Sequence, residues 1–256
     1  MERIGIIGVG KLAAALVDGL CEGVAEPPEV FLSPRGAGTA RELAARHASV
    51  RVCADNQQVV DRCDLLVVSV RRAQRQEALA GLVVPAGRTV VNVMSGVSND
   101  ELHQLLGEDV ALVRAIPLPS VRRRRSVTVT HPAHPVVDAL FARLGGAQPV
   151  ADEADFDVLS ALTGTQTTHY AYLATVTRWA VGHGIPAEAA ERYVRSLFQE
   201  VGRSLEDPSH SFEQLGGEHE SPKGNNERVR TTWFDAANSA ALTRTLDELL
   251  ADLRKP

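Results

Sequence analysis

Arg3-Ile4-Gly5-Ile6-Ile7-Gly8-Val9-Gly10-Lys11-Leu12-Ala13 is the stretch whose reading decides the fold. A short apolar run ends on glycine, and from Lys11 to Cys21 the chain is rich in the helix formers Ala and Leu. This pattern reads as a strand, a tight turn and a helix. Gly8-Val9-Gly10-Lys11-Leu12-Ala13 has the spacing GxGxxA. In such a turn the first glycine permits the sharp bend, and the second lets the backbone approach a pyrophosphate. The small third residue allows close helix–strand packing, and the phosphates sit at the positive end of the helix. A dinucleotide-binding turn is therefore expected here.

Downstream the alternation continues. Strands are expected at Val30–Leu32, Arg51–Cys53, Asp64–Val70, Thr89–Met94, Asp109–Arg114 and Ser126–Thr130. Helices are expected at Thr39–His47, Gln74–Leu82, Asn99–Leu106 and Pro135–Leu144. Asp64–Val70, DLLVVSV, is continuously apolar rather than alternating, as a strand buried on both faces of a parallel sheet must be. Strands separated by short helices predict an α/β fold, an N-terminal Rossmann doubly wound parallel sheet. After about Val150 the pattern becomes helical: Glu153–Gly182 with a break near Thr163-Gly164, then Pro186–Leu205. A Gly/Pro/Asn-rich stretch from Leu215 to Asn226 precedes a last helix at about Val229–Leu253. The expected organisation is a nucleotide-binding domain over 1–152 and a smaller all-helical dimerisation and substrate domain over 153–256.

The 256 residues, 44% apolar and 23% charged, are enough for a real core. A net charge of −5 argues against a general binder of nucleic acid or anionic membranes. No apolar run reaches the length of a bilayer span, and the N-terminus lacks the pattern of a signal peptide. Cys21, Cys53 and Cys63 form no disulfide or CxxC pattern, which predicts a reducing, cytoplasmic setting. His131-Pro132-Ala133-His134 brings two histidines close, but prolines break any helical ligand face, so no metal site is expected.

The end of the second strand selects the dinucleotide. NAD binders carry Asp or Glu there to hold the ribose hydroxyls. Here the chain reads Phe31-Leu32-Ser33-Pro34-Arg35, a hydroxyl and a guanidinium with no carboxylate nearby in sequence, which suits the 2′-phosphate of NADP(H). The 27 basic residues include only three lysines, Lys11, Lys223 and Lys255. The gap between Lys11 and Lys223 removes the lysine-dependent acid–base mechanisms of several two-domain dehydrogenases.

Six segments, in order and beginning with the opening turn itself, resemble the pyrroline-5-carboxylate reductase family, the NAD(P)H-dependent enzymes that close proline biosynthesis. IGIIGVGKLAAALVDGL resembles the family's opening GxGxMA helix, and DLLVVSVRRAQ its apolar strand followed by AVKPQ. VMSGVSNDELHQLL is similar to AAGV…LE..L and VRAIP to VRVMP. DFDVLSALTGT resembles FDAVTALSGS, and SPKGNN resembles SPGGTT. The resemblance implies a Rossmann domain followed by interlocked helical domains of a homodimer, with higher assembly open, and a hydride delivered from nicotinamide to a cyclic C=N carbon. By position it implies that Gly8, Gly10, Lys11, Leu12 and Ala13 cradle the pyrophosphate. Ser33, Arg35 and Asn56 would hold the adenosine phosphate end, and Val70, Arg71, Ser95 and Gly96 would line the ribose and nicotinamide.

Departures from the family pattern matter too. Leu118 stands where the family has asparagine, and Arg122-Arg123-Arg124-Arg125 replace a neutral or acidic stretch. Those arginines read either as a solvated loop or as partners of an acidic substrate, the cofactor phosphates or another chain. Gln166, Lys223, Asn225 and Asn226 alter the two motifs that form the family's substrate pocket, which predicts a related imine rather than the proline precursor. Thr165, His169, Tyr172 and Val176 share a helix face by spacing. Histidine exchanges protons near neutrality, so His169 is the candidate proton donor to the reduced nitrogen, with Thr165 and Asn226 as further catalytic candidates. Two other readings keep the same nucleotide site: a deazaflavin-dependent NADP reductase, and an inactive NADP(H)-binding homologue with a sensing or interaction role.

Overall fold

The computed structural model describes residues 3–255. The first half builds β1 (Arg3–Ile7), α1 (Lys11–Cys21), β2 (Glu29–Leu32), α2 (Ala37–Arg46), β3 (Val50–Val52), α3 (Asn56–Arg62) and β4 (Leu65–Val68). It continues with α4 (Arg75–Leu79), β5 (Thr89–Asn92), α5 (Asn99–Leu106), β6 (Ala111–Ile116), β7 (Thr128–His131), α6 (Pro135–Ala142) and β8 (Ala147–Pro149). The strands form one sheet of eight in the order β3-β2-β1-β4-β5-β6-β7-β8. Strands β1 to β6 are parallel, the doubly wound arrangement expected.

The sheet is not parallel throughout. Strand β7 runs antiparallel to β6, and β8 parallel to β7. The segment between β6 and β7 carries only a short 3₁₀ turn at Pro119–Arg123, and a return without a crossover helix gives an antiparallel neighbour. Strand β8 is not predicted from the sequence. It ends on Pro149 at the sheet's edge, where a missing N–H breaks no ladder.

Both faces of the sheet are covered. Leu65 and Val67 of β4 join the apolar cluster that includes Ile4, Leu16 and Phe141, while Leu66 and Val68 join the opposite one with Ile7, Val59 and Leu79. Burial on both sides explains the unbroken apolar run in this strand. All three cysteines are buried, and burial pushes their thiols above the usual range, so none is poised as a thiolate.

Two buried charges organise the edges of this unit. Asp18, in the last turn of α1, is only 3% exposed in its side chain and meets His47 Nε2 at 2.9 Å, Arg46 Nη2 at 3.0 Å and Arg122 Nε at 3.2 Å. Arg124 donates to the carbonyls of Gly19 and Glu22, at the C-terminal end of α1. Two of the four consecutive arginines therefore bind α1. Arg114 of β6, 7% exposed, donates to Glu153 Oε1 at 2.6 Å and Asp157 Oδ1 at 3.0 Å and lies 4.3 Å over the Phe156 ring.

Glu153, Phe156 and Asp157 lie on α7 (Glu153–Leu162), whose N-terminal part belongs with the sheet. The first compact unit runs through Leu159 and the second begins at Ser160, within this helix. The second unit contains α8 (Thr165–Gly182), α9 (Ala187–Ser204), α10 (Phe212–Glu218), α11 (Asn225–Trp233) and α12 (Ala236–Leu253). The single last helix expected from the sequence is broken at Phe234-Asp235, where Asp235 accepts from the Asn238 N–H and starts α12. Helix α10 lies partly within the glycine-rich stretch, started by a reciprocal cap between Ser211 and Gln214. Among the described residues of the second unit the buried apolar side chains are Ala161, Ala190 and Val194, whereas Tyr170, Trp179, Tyr193 and Phe212 are exposed. No helix among the described residues is long and apolar enough to cross a membrane.

Candidate functional site: the glycine turn and its surroundings

The turn between β1 and α1 adopts the geometry that its glycines predict. Gly8 has φ +94°, and a Cβ there would lie 2.5 Å from the Ser69 carbonyl oxygen and 2.7 Å from Val70 Cγ1. Only glycine fits. Gly10 is the N-cap of α1, with no side-chain cap, and a Cβ built on it meets nothing within 4 Å. The space in front of the helix is open. The first-turn N–H groups of Lys11, Leu12 and Ala13 have no intrahelical acceptor, which makes this end a ready anion site. Ala13 is fully buried, as close helix–strand packing requires, while Lys11 is exposed beside the opening.

Ser33 is fully buried, and its hydroxyl oxygen accepts from the Gly8 N–H at 3.0 Å. It supports the turn from beneath rather than lying open to a phosphate. A glycine that sequence reading overlooks completes the packing: Gly36, φ +87°, the N-cap of α2, where a Cβ would meet the Val9 carbonyl oxygen at 2.5 Å. Arg35 is exposed, but its Nη1 lies 2.8 Å from Glu77 Oε2 of α4. A carboxylate does stand beside it, one that the sequence around β2 does not contain. Asn56 begins α3, and its amide donates to the Ala78 carbonyl at 2.9 Å, tying α3 to α4.

Val70 packs beneath Gly8, and Arg71 is exposed at the start of the 3₁₀ turn Arg72–Gln74. Ser95 and Gly96 sit on the loop after β5. Buried Asn92 shapes that loop by donating to the Val97 carbonyl at 2.9 Å and accepting from the Met94 N–H at 3.0 Å. Gly96 has φ +67°, and Arg72 Nη1 lies 3.6 Å from where its Cβ would stand. Glu101 pairs with Arg75 at 2.9 Å and Arg72 at 3.6 Å, while its other oxygen accepts from the Ser98 N–H. The sequence signal for Asn92 is a lone amide closing an apolar strand.

In the helical unit, Thr165 opens α8 and its hydroxyl donates to the Leu162 carbonyl at 2.7 Å. His169, one turn on, is exposed and edge-on to Phe198 of α9 with ring centroids 6.0 Å apart. Tyr172 stacks on Trp233 of α11 at 5.2 Å and meets Phe198 edge-on at 5.5 Å. Below them an apolar groove of about 550 Å³ is lined by Tyr172, Val176, Trp179, Val229 and Trp233 among others. Asn226 lies in the first turn of α11 and donates to the His219 carbonyl at 2.7 Å. Thus the structure brings His169 and Tyr172 onto Phe198, while Asn226 is held by a different contact. Lys223, at φ +63°, occupies a left-handed position where the resembling motif has glycine.

The model of the family described as "NADP oxidoreductase coenzyme F420-dependent" matches residues 3–96, from β1 to the loop that carries Gly96. Pyrroline-5-carboxylate reductase 2 of Bacillus subtilis is 22% identical over 258 residues, covering 97% of this chain and 92% of its own. Among solved structures, the 1-pyrroline-5-carboxylate reductase of Streptococcus pyogenes superposes with a TM-score of 0.80 at 23% identity, covering 97% of this chain and 98% of its own. The Plasmodium falciparum pyrroline carboxylate reductase, solved with NADP bound, gives 0.78 at 14% identity over 99% of this chain and 97% of its own.

Proposed function

We propose that the chain is a member of the pyrroline-5-carboxylate reductase family, to whose members it is similar over nearly its whole length, and that it is an NADPH-dependent reductase of the C=N bond of a small cyclic imine. The observation that carries the proposal is the cradle at Gly8 and Gly10. One position excludes any Cβ and the other is open, at the uncapped N-terminus of an 11-residue helix. These residues fit a pyrophosphate, with Arg35 toward a 2′-phosphate and Arg71, Ser95 and Gly96 toward the ribose and nicotinamide. When bound, NADPH supplies the hydride.

The chain's own part is orientation and proton supply. An iminium carbon is already electrophilic, so holding it at contact distance provides much of the acceleration. His169 gives the proton that the nitrogen retains in the amine, and Thr165 and Asn226 orient the substrate. The changed motifs at Gln166 and Lys223-Gly224-Asn225-Asn226 favour an imine related to the proline precursor over the precursor itself. A homodimer accounts for the helical unit, whose aromatic side chains Tyr170, Trp179 and Tyr193 lie exposed beside few buried residues.

The test is NADPH oxidation by the purified protein against a panel of cyclic imines with and without a carboxylate. Turnover of at least one of them is expected, and tight NADPH binding with no turnover across the panel overturns the reductase reading. His169→Phe is expected to lower turnover by about 100-fold, in the range of lost general acid–base catalysis, with NADPH affinity unchanged. Unchanged turnover removes His169 from the mechanism.

A further inference from the structure

Arg35 stands at the end of β2, where the nucleotide's adenosine ribose is read in a doubly wound sheet. Its partner comes from another strand–helix unit: Glu77, in the first turn of α4, with Oε2 2.8 Å from Arg35 Nη1. The two side chains are 48% and 70% exposed, so neither is locked in place. An exposed pair of this kind is weak and easily exchanged. The N-terminus of α2, capped by Gly36 without a side-chain acceptor, opens one residue after Arg35.

We infer that Glu77 is a specificity-determining residue that weakens the preference of this site for NADP(H) and admits NAD(H). This inference rests on the nucleotide-binding reading above and deepens it. A 2′-phosphate must displace the Glu77 carboxylate from Arg35 and then remain close to its negative charge. A plain 2′-hydroxyl does the opposite. It donates to an acceptor, and Glu77 supplies from α4 the carboxylate that NAD-binding sites usually place on β2 itself. Arg35 and Glu77 together thus offer a partner to each form of the ribose: the guanidinium to the phosphate, the carboxylate to the hydroxyls. Neutralising Glu77 frees Arg35 and removes the repulsion, while depriving the unphosphorylated ribose of its acceptor.

The experiment is calorimetric titration of the full chain and of Glu77→Gln with NADP+ and NAD+ at low and high salt. The substitution is isosteric and lies on the surface, so the fold is preserved. In Glu77→Gln, NADP+ is expected to bind about three- to tenfold more tightly at low salt, shrinking toward no gain at high salt. NAD+ is expected to bind several-fold more weakly at either salt concentration, so the ratio of the two dissociation constants shifts about tenfold or more toward NADP+ at low salt. A ratio within twofold of the parent's overturns the role of Glu77 while the nucleotide site stands. An unaltered chain that binds neither nucleotide overturns the nucleotide-binding reading itself, and this inference with it.

Discussion

Gly8→Ala is expected to abolish nucleotide binding and to cost about 2–5 kcal/mol of stability. The new methyl group would lie 2.5 Å from the Ser69 carbonyl oxygen and 2.7 Å from the carbonyl carbon, backbone atoms that cannot rotate away. The φ of +94° adds a conformational penalty that glycine does not suffer. Relief requires β1 and the end of β4 to separate, which moves the turn away from the phosphates. A midpoint of thermal unfolding lowered by about 6–12 °C corresponds to a loss of about 3 kcal/mol in a chain of this size. Gly10→Ala is the control that separates stability from binding. Its methyl group meets nothing within 4 Å, and its φ of −99° suits any residue. The melting midpoint should stay near the parent's while nucleotide affinity falls tenfold or more, because the methyl group occupies the open space that a pyrophosphate would need to approach the helix. Full affinity in Gly10→Ala would mean that no phosphate approaches this backbone.

Arg114→Met is expected to destabilise the sheet unit by about 3–5 kcal/mol, since it strips the cation from a carboxylate that stays buried. Asp157 is 11% exposed in its side chain and 3.0 Å from the guanidinium. Methionine fills part of the volume and keeps an apolar contact with Phe156, so the loss reports the charge rather than a cavity. Removing both partners, as in Arg114→Met with Asp157→Leu, should recover much of the stability, because an apolar pair needs no compensation. Denaturant unfolding followed by far-ultraviolet circular dichroism measures both variants. If the single substitution costs under 1 kcal/mol, Arg114 is not what holds the start of α7 to the sheet.

How far the sequence could be read depends on whether the informative partner is near or far along the chain. The GxGxxA turn, the run Asp64–Val70 and the helix Asn99–Leu106 are local signals, and the structure places them as expected. The arginine tract is different. Four like charges in a row resemble a solvated face, yet Arg122 reaches Asp18 and Arg124 reaches Gly19 and Glu22, about a hundred residues away. The readable sign lay at the other end: an aspartate amid the apolar residues of α1 needs partners if it is buried. Arg114 in ALVRAI carried the same sign. At the end of β2, Glu77 lies 42 residues after Arg35, and only the folding of α4 onto that end makes the pair visible. Helix α3 is not legible in the sequence although Asp55 is a good cap accepting from the Gln58 N–H, because the segment is short and its polar start resembles a loop.

Helix α1 is fastened at its far end by Arg122 and Arg124, and its leading turn is already held by Ser33 and by the close fit of Gly8. Little of this scaffold is left to order when a guest arrives. Association therefore forfeits scarcely any backbone entropy, and the affinity stays available for discriminating between related dinucleotides rather than for assembling the receptacle.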